Sequence, residues 1–228
     1  MFRDFLSLVF PPVCLACSAV LHKGEQKICT SCLHSLPQTN FHLAADNPVA
    51  RLFWGRVEVK KATAFYLFGK ASKVQKLIHG LKYKGQKEIG LILGKQFAHS
   101  LKEQNWTKEV DVIVPVPLHP YRFKKRGYNQ SSCFAKGLGE VLAIPILEDS
   151  IICIKDTGSQ SYRSRYWRWK SATAKFLVQQ SDQLRGKNIL LVDDVVTSGS
   201  TMEACARELL KTPGTTVNVA TIAYTNLR

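Results

Sequence analysis

The chain has 228 residues, 45% of them hydrophobic, and 32 Lys and Arg against 17 Asp and Glu give it a net charge of +15. The apolar fraction excludes wholesale disorder, and the length suits one good-sized core with an appendage or two small domains. The charge excess carries no information about the fold, but it predicts polyanionic partners. No apolar run reaches the roughly 18 to 20 residues needed to cross a bilayer. The short run Phe5 to Phe10 lacks signal-peptide flanks, so we expect a cytoplasmic protein.

Four of the seven cysteines lie near the start of the chain in the pattern C-x2-C-x11-C-x2-C. Each C-x2-C pair can turn two thiolates toward one point, and two pairs supply the tetrahedral sulfur ligands that zinc prefers. An odd cysteine count without a secretion signal argues against a disulfide framework. A redox dithiol, an iron–sulfur site and four unconnected thiols are the alternatives. The pattern predicts a structural zinc site on Cys14, Cys17, Cys29 and Cys32.

The chain beyond the cysteines alternates between strand-like and helix-like segments. Segment 36–50, which contains two prolines, predicts a linker or irregular connection. Apolar runs with strand character lie at 59–68, 111–117, 146–154, 189–192 and 216–224. Helix-forming segments, most with apolar residues at helical spacing, lie at 72–82, 88–101, 131–141 and 202–211. This alternation predicts an α/β fold with a largely parallel sheet.

Segment 189–201, which reads ILLVDDVVTSGST, is the most informative stretch. Its apolar run ends in Asp193 and Asp194, as expected of a buried parallel strand that meets a ligand at its carboxyl end. The small residues Thr197 to Thr201 then precede a helix, so backbone N–H groups and the helix dipole can face an anion. Phosphate suits this loop and sugar hydroxyls suit the aspartates. The alternative is an ordinary strand-to-helix turn.

This string resembles the 5-phosphoribosyl-1-pyrophosphate (PRPP) motif of type I phosphoribosyltransferases. The resemblance implies that the paired acids hold the ribose hydroxyls, that the loop cradles the 5-phosphate, and that PRPP with Mg²⁺ is the ligand. Pro117 would belong to the loop that meets pyrophosphate. The PRPP-binding residues implied are Asp193, Asp194, Val195, Val196, Thr197, Ser198, Gly199, Ser200, Thr201 and Pro117.

Two segments, 121–128 and 162–170, interleave cations with aromatic rings. Rings stack on unpaired bases while cations contact phosphates, so these segments predict binding of single-stranded rather than double-stranded nucleic acid. In the second segment, Trp167 and Trp169 would alternatively anchor a loop in the core, or its arginines would grip pyrophosphate. The candidate nucleic-acid-binding residues are Arg122, Lys124, Lys125, Arg126, Arg163, Arg165, Trp167, Arg168, Trp169 and Lys170.

The order of these motifs along the chain resembles the ComF family of bacterial competence proteins, which includes GntX-like members. The matching strings are Leu81 to Gly85, Val114 to His119, Arg126 to Gln130 and Leu190 to Thr201. The resemblance implies an N-terminal zinc finger joined to a phosphoribosyltransferase-like domain, acting on incoming single-stranded DNA in natural transformation. Partners would then include other competence proteins at the inner face of the membrane.

We therefore expect a zinc-finger region and linker at 1–50 and a phosphoribosyltransferase-like domain at 51–228. Within that domain, 51–108 would form a helical hood-type part and 109–228 the core. The leading functional hypothesis is a PRPP-site protein that binds single-stranded DNA. One alternative is an active phosphoribosyltransferase that transfers phosphoribosyl to a nucleobase or amine; another is a regulator that senses PRPP. No residue stands out as a catalytic acid or base, so catalytic residues stay unassigned.

Overall fold

A parallel four-stranded sheet forms the centre of the protein, in a computed structural model that describes residues 11–154 and 175–225. The strands lie in the order β1-β6-β5-β2, and a second, antiparallel pair consists of β3 and β4. The strands are β1 Lys61–Leu67, β2 Val112–Pro115, β3 Ile151–Cys153, β4 Phe176–Val178, β5 Asn188–Val196 and β6 Thr216–Tyr224. This arrangement confirms the predicted α/β class with a mostly parallel sheet.

Helices cover both faces of the sheet. The helices of the described residues are α1 Thr30–Ser35, α2 Pro48–Arg51, α3 Lys73–Tyr83, α4 Glu88–Glu103, α5 Pro120–Arg126, α6 Gln130–Leu142, α7 Ser181–Leu184 and α8 Ser200–Leu209, with a 3-10 turn at Phe41–Leu43. Among the described residues, no helix has both the length and the apolar character required to traverse a membrane.

Alternate residues of β5 belong to two separate hydrophobic cores. Leu190 and Val192 pack in the core that α3, α4 and α6 form on one face. Ile189 and Leu191 pack with α8 and α2 on the other. Successive side chains of a strand point to opposite faces. Because both faces of β5 are covered, its sequence is continuously apolar until it reaches the aspartates.

Close packing of α4 against α6 positions the start of α6 beside the end of β5. A Cβ atom on Gly94 would lie 2.4 Å from the carbonyl oxygen of Phe134 and 2.9 Å from Cα of Gly137. A side chain at either glycine would therefore push the two helices apart. The first turn of α6 carries Ser131, so this contact helps to place the Ser131 hydroxyl at the carboxyl end of β5.

Segment 36–50, predicted to be a linker or irregular connection, lies against the edge strand β1. The N–H of Thr39 donates to the Phe65 carbonyl at 2.9 Å. The buried side-chain amide of Asn47 donates to the carbonyls of Ala44 and Ala62, each at 2.9 Å. Asn47 also caps α2, with a proline at the first position of that helix. The segment thereby protects the exposed edge of the sheet.

Three further features differ from the pattern-based expectations. The strand predicted around 146–154 is confined to Ile151–Cys153, because Ile146 makes only a single bridge to Ile113. Helix α5 falls in a segment for which no helix was predicted. Strand β1 lies within 51–108, the predicted hood-type part, yet it pairs with β6, which lies in the predicted core. Both predicted parts therefore contribute strands to the same sheet.

Candidate functional site

Asp193 lies near the carboxyl end of β5, next to the loop that follows β2. The N–H of Val116 donates to the Val192 carbonyl at 2.8 Å, which brings that loop alongside the acids. Oδ1 of Asp193 accepts from Ser131 Oγ at 2.7 Å and from the backbone N–H of Asp194 at 2.8 Å. Burial, followed by the neighbouring Asp194 charge, nevertheless raises the pKa of Asp193 to about 7.

Asp194 is 3% exposed and pairs with a lysine from a distant helix. Its Oδ1 atom lies 2.8 Å from Nζ of Lys82, in the last turn of α3. Its Oδ2 atom is buried and has no hydrogen-bond partner among the residues that the structure describes. A buried carboxylate oxygen without a donor is unfavourable. The acid pair therefore retains an acceptor that suits a hydroxyl donor.

The loop after β5 presents main-chain donors at the start of a ten-residue helix. Within 11–154 and 175–225, no carbonyl or side-chain acceptor takes a hydrogen bond from the N–H groups of Thr197 to Thr201. Gly199, at φ +75°, occupies the N-cap position of α8. These free donors lie at the positive end of the helix dipole, an arrangement that binds phosphate and other anions.

Side chains from the region after α2 hold this loop in place. Arg56 donates to the Ser198 carbonyl at 2.9 Å and also pairs with Glu203 in the first turn of α8. A Cβ on Gly199 would lie 3.3 Å from Cβ of Leu52. Arg207 and Arg56 lower the pKa of the Glu203 carboxyl. These contacts hold the loop through the Ser198 carbonyl and through Gly199, so they do not use its N–H groups.

The other predicted phosphoribosyl residues occupy two kinds of position. Val196 is buried and Val195 is partly buried, each packed against one of the two cores. Val196 could therefore contact a ligand only through main-chain atoms. Pro117 is half-buried and follows Val116, whose carbonyl accepts from the side chain of Asn129 at 2.9 Å. It therefore lies in the loop beside the acid pair.

Helix α5 carries the first basic, aromatic segment. Pro120 opens the helix, and Gly127 ends it with a positive φ. Arg122, Lys124 and Lys125 are exposed. The aromatic rings of the helix are also unusually accessible, at 69% for Tyr121 and 51% for Phe123. Single exposed apolar residues are common, but large rings alternating with cations on one short helix are not explained by core packing.

Arg126, the last predicted cation of α5, is bound within the protein. Its guanidinium donates to Oε1 of Gln130 and lies 5.5 Å from the ring centroid of Tyr83, which is 66% exposed. This geometry is a cation–π contact. The remaining predicted residues lie outside the described residues: Arg163, Arg165, Trp167, Arg168, Trp169 and Lys170.

Three contributors to these sites were absent from the predicted site residues: Lys82, Tyr83 and Ser131. Lys82 and Tyr83 belong to the LKYKG string, which was noted only as a motif. The only indication in the sequence was that this string, which carries two lysines, lies at the junction of two segments with apolar residues at helical spacing. Nothing in the local sequence relates Lys82 to Asp194 or Ser131 to Asp193, because folding alone brings those segments together.

The N-terminal cysteines form a compact cluster. Every pair of the four Sγ atoms of Cys14, Cys17, Cys29 and Cys32 lies within 4.8 Å. The N–H of Cys29 donates to Cys14 Sγ at 3.3 Å. Burial acts to raise the pKa of Cys14, but N–H donors from Cys29, Cys17 and Ala16 outweigh it and lower the pKa to about 6. A tight all-sulfur set with N–H donors fits Zn²⁺, which these four residues would hold.

Two family models match the chain. The phosphoribosyl transferase domain matches residues 138–227, which include the acid pair and its loop. The double zinc ribbon domain matches residues 5–42, which include the four cysteines. These matches agree with the parallel sheet and the sulfur cluster, and they support a structural zinc ion.

Three relatives show what the chain is similar to. DNA utilization protein YhgH of Escherichia coli K12 is 28% identical over 93% of this chain and 96% of its own length. Competence protein F of Haemophilus influenzae is 30% identical over 59% of this chain and 61% of its own length. Competence protein ComFC of Bacillus subtilis is 26% identical, over 87% and 78% respectively.

Proposed function

We propose that this chain binds single-stranded DNA in natural transformation and holds PRPP. Its similarity to the DNA utilization and competence proteins supports the proposal, as do its matches to the double zinc ribbon and phosphoribosyl transferase domain models. The names of the relatives support a role in competence. The PRPP site would comprise the acid pair, the loop Thr197 to Thr201 and the loop containing Pro117. The zinc ribbon would stabilise the N-terminal region.

The unpaired N–H groups beside a buried carboxylate pair are the observation that supports the PRPP site. A phosphate group accepts from several N–H donors at once, and a hydrogen bond to a charged group contributes about 1.5–3 kcal/mol. The pentose hydroxyls of the same ligand would donate to the aspartates. Carboxylate oxygens are also the ligands that Mg²⁺ takes, which suits PRPP with its bound Mg²⁺.

Calorimetry with PRPP and MgCl₂ tests this site. We expect Asp194→Asn to weaken binding by about 10-fold or more, since it removes one charged acceptor. Asp111→Asn is the matched control, because Asp111 lies at the opposite end of the sheet, where it accepts from Asn188. Equal affinity in wild type and Asp194→Asn, or no binding of PRPP by the wild type, would contradict the proposal.

The exposed rings and cations of α5 support binding of single-stranded DNA. A base that is not paired can stack on Tyr121 or Phe123, whereas a duplex hides the base faces. Stacking contributes about 1–3 kcal/mol per base. The proposal also includes the predicted residues of the second basic segment, among them Trp167 and Trp169, which lie outside the described residues.

Fluorescence anisotropy with a labelled oligonucleotide tests the DNA proposal. We expect tighter binding to a single strand than to the matching duplex, and weaker binding after Trp167→Ala with Trp169→Ala. Thermal unfolding of the double variant checks that it is folded. Unchanged affinity in that variant would remove these two residues from the proposal, and a preference for duplex would remove the stacking mechanism.

We also propose that the protein acts on the cytoplasmic side, with other competence proteins at the inner face of the membrane as partners. Fractionation of competent and non-competent cells tests this placement. A competence-dependent increase in the membrane-associated fraction is expected, and an identical distribution in both would argue against such partners.

A second candidate function is an active phosphoribosyltransferase, which the match to the phosphoribosyl transferase domain favours. The enzyme would displace pyrophosphate from PRPP with a nucleobase or an amine. Pyrophosphate release measured with a panel of such acceptors distinguishes this function from ligand binding alone. Binding of PRPP without release would favour the sensor or DNA-binding roles.

A further inference from the structure

The last turn of α3 contacts both proposed sites through two successive residues. Lys82 places its ammonium group 2.8 Å from Asp194, inside the acid pair. Tyr83 directs its ring toward solvent, where the guanidinium of Arg126 lies 5.5 Å from the ring centroid. One residue therefore serves the phosphoribosyl site, and the next belongs to the basic, aromatic surface of α5.

Hydrogen bonds join the surrounding elements into one connected unit. The hydroxyl of Tyr128 donates to the carbonyl of Leu81, which ties the end of α3 to the segment after α5. Arg126 donates to Gln130, the first residue of α6. The next residue, Ser131, donates to Asp193 at 2.7 Å. The acid pair and the α5 surface thus share the beginning of α6 as well as the end of α3.

A pentose cannot reach Asp194 without disturbing this unit. Oδ1 of Asp194 is held by Lys82, and Oδ2 is buried. A ligand hydroxyl must therefore rotate the carboxylate or displace the ammonium group. The Asp194 side chain is only 5% exposed, so a ligand that takes the place of the ammonium group breaks the ion pair linking the last turn of α3 to β5. Loss of this ion pair releases the turn that also carries Tyr83.

We propose that Lys82 and Tyr83 couple the two sites, so that PRPP and single-stranded DNA weaken each other's binding. The inference rests on the proposed function, because it requires both ligands to bind. PRPP displaces Lys82 from Asp194, the last turn of α3 moves, and Tyr83 loses its alignment with Arg126. A base that stacks on Tyr83 uses that alignment, so DNA binds less tightly when it is lost. By linkage, each ligand must lower the affinity of the other by the same factor.

Anisotropy titrations with labelled oligothymidylate at increasing PRPP and constant MgCl₂ test the coupling. The apparent Kd for the oligonucleotide should rise about 5-fold or more and then reach a plateau, as allosteric coupling requires. Calorimetry with PRPP at saturating oligonucleotide should give the same factor. Direct competition for one site would instead raise the apparent Kd without a plateau.

Tyr83→Ala is the diagnostic variant, because its exposed side chain can be removed without opening the core. It should bind PRPP as the wild type does and bind DNA more weakly, but with a coupling factor near one. The control is Tyr121→Ala, an equally exposed ring on α5. That variant should weaken DNA binding and retain the wild-type factor. Lys82→Met should also remove the coupling, provided that thermal unfolding shows it to be folded.

The outcomes separate this inference from the proposed function. If both ligands bind and the factor is one in the wild type, the coupling is wrong and both sites stand. A titration without a plateau, or a wild-type factor retained in Tyr83→Ala, also overturns the coupling. If PRPP or the oligonucleotide fails to bind, the proposed function itself is wrong.

Discussion

The cysteine cluster and the acid–loop site assemble their polar atoms by opposite routes. All four sulfurs come from one short stretch, Cys14 to Cys32, and meet within 4.8 Å. The acid–loop site takes Lys82 from α3, Ser131 from α6 and its carboxylates from β5. The first site therefore depends on two local turns and a metal. The second depends on the packing of a whole sheet and its helices.

We expect the largest effect from a single substitution that disrupts the cysteine cluster. Cys32→Ser should reduce zinc from about one per chain to nearly none and expose the N-terminal region to protease. The physical reason is that structural zinc contributes about 10–16 kcal/mol in zinc-finger peptides, far more than a single side-chain contact. Elemental analysis and limited proteolysis measure both effects.

Cys133→Ser is the control for that experiment, because Cys133 lies outside the sulfur cluster. It should retain its zinc. Full zinc content in Cys32→Ser would contradict the assignment, and iron with visible absorbance in the wild type would replace it with a different metal site.

The second prediction concerns Asp193, whose pKa is shifted only in the folded protein. The folded-state pKa of Asp193 is raised to about 7, above its ordinary value of 3.8, because the group is buried beside Asp194. The folded protein then binds a proton more tightly than the unfolded chain. Asp193 therefore adds stability below about pH 4, and that contribution is lost as the pH rises toward 7.

Asp193→Asn should remove this pH-dependent loss, which is on the order of 3–4 kcal/mol between pH 4 and 7, because the pKa differs by roughly three units between the folded and unfolded states. Urea unfolding at several pH values measures it. Ser131→Ala provides the opposite test. Its hydroxyl lowers the pKa of Asp193, so its removal should extend the loss of stability to higher pH. Identical pH profiles in wild type and Asp193→Asn would show that this carboxyl is not perturbed.

Local spacing explains why part of this molecule could be predicted from sequence. The C-x2-C pairs predicted the sulfur cluster, because four ligands within one short segment need no knowledge of the rest of the fold. The apolar run before Asp193 predicted a buried parallel strand, because a strand covered on both faces has no polar alternation. The small residues Thr197 to Thr201 predicted a loop with free N–H groups, and that pattern also lies within one short segment.

Contacts between distant segments could not be predicted in this way. Lys82 lies in the string Leu81 to Gly85, which gives no local indication of its ion pair with a buried carboxylate. The approach of α4 to α6, through Gly94 and Gly137, depends on both helices at once. The register of two strands then decides which loop lies beside the acids. No single segment contains that information.

The third prediction tests whether the phosphate loop depends on one backbone conformation. Gly199→Ala places a Cβ on a residue at φ +75°, which costs roughly 1–2 kcal/mol for an L-residue. The new atom would also press on Leu52. We therefore expect lower stability and weaker PRPP binding, measured by thermal unfolding and calorimetry.

Gly186→Ala is the matched control, since Gly186 has φ +68° and no atom within 4 Å of an added Cβ. It should cost similar backbone strain without affecting PRPP. If both variants weaken PRPP equally, the effect is one of stability, and Gly199 has no particular role in the ligand loop.

The smallest expected effect comes from the exposed cations of α5. Changing Arg122, Lys124 and Lys125 to Gln should leave stability nearly unchanged, because exposed charges contribute little to it. Oligonucleotide binding should weaken, and its salt dependence should become shallower by about 2, since each phosphate contact on a single strand contributes about 0.7 to the slope. Anisotropy at several salt concentrations measures both quantities.

A second triple variant removes the same charge from the opposite end of the sheet. It changes three exposed lysines to Gln: Lys102, Lys108 and Lys187. Both variants have the same net charge, so any general attraction to DNA falls equally in each. A shallower slope in the α5 variant alone would locate the contacts on that helix. Equal slopes would mean that the net charge of +15 acts as a diffuse field, and that α5 is no more a DNA surface than the rest of the molecule.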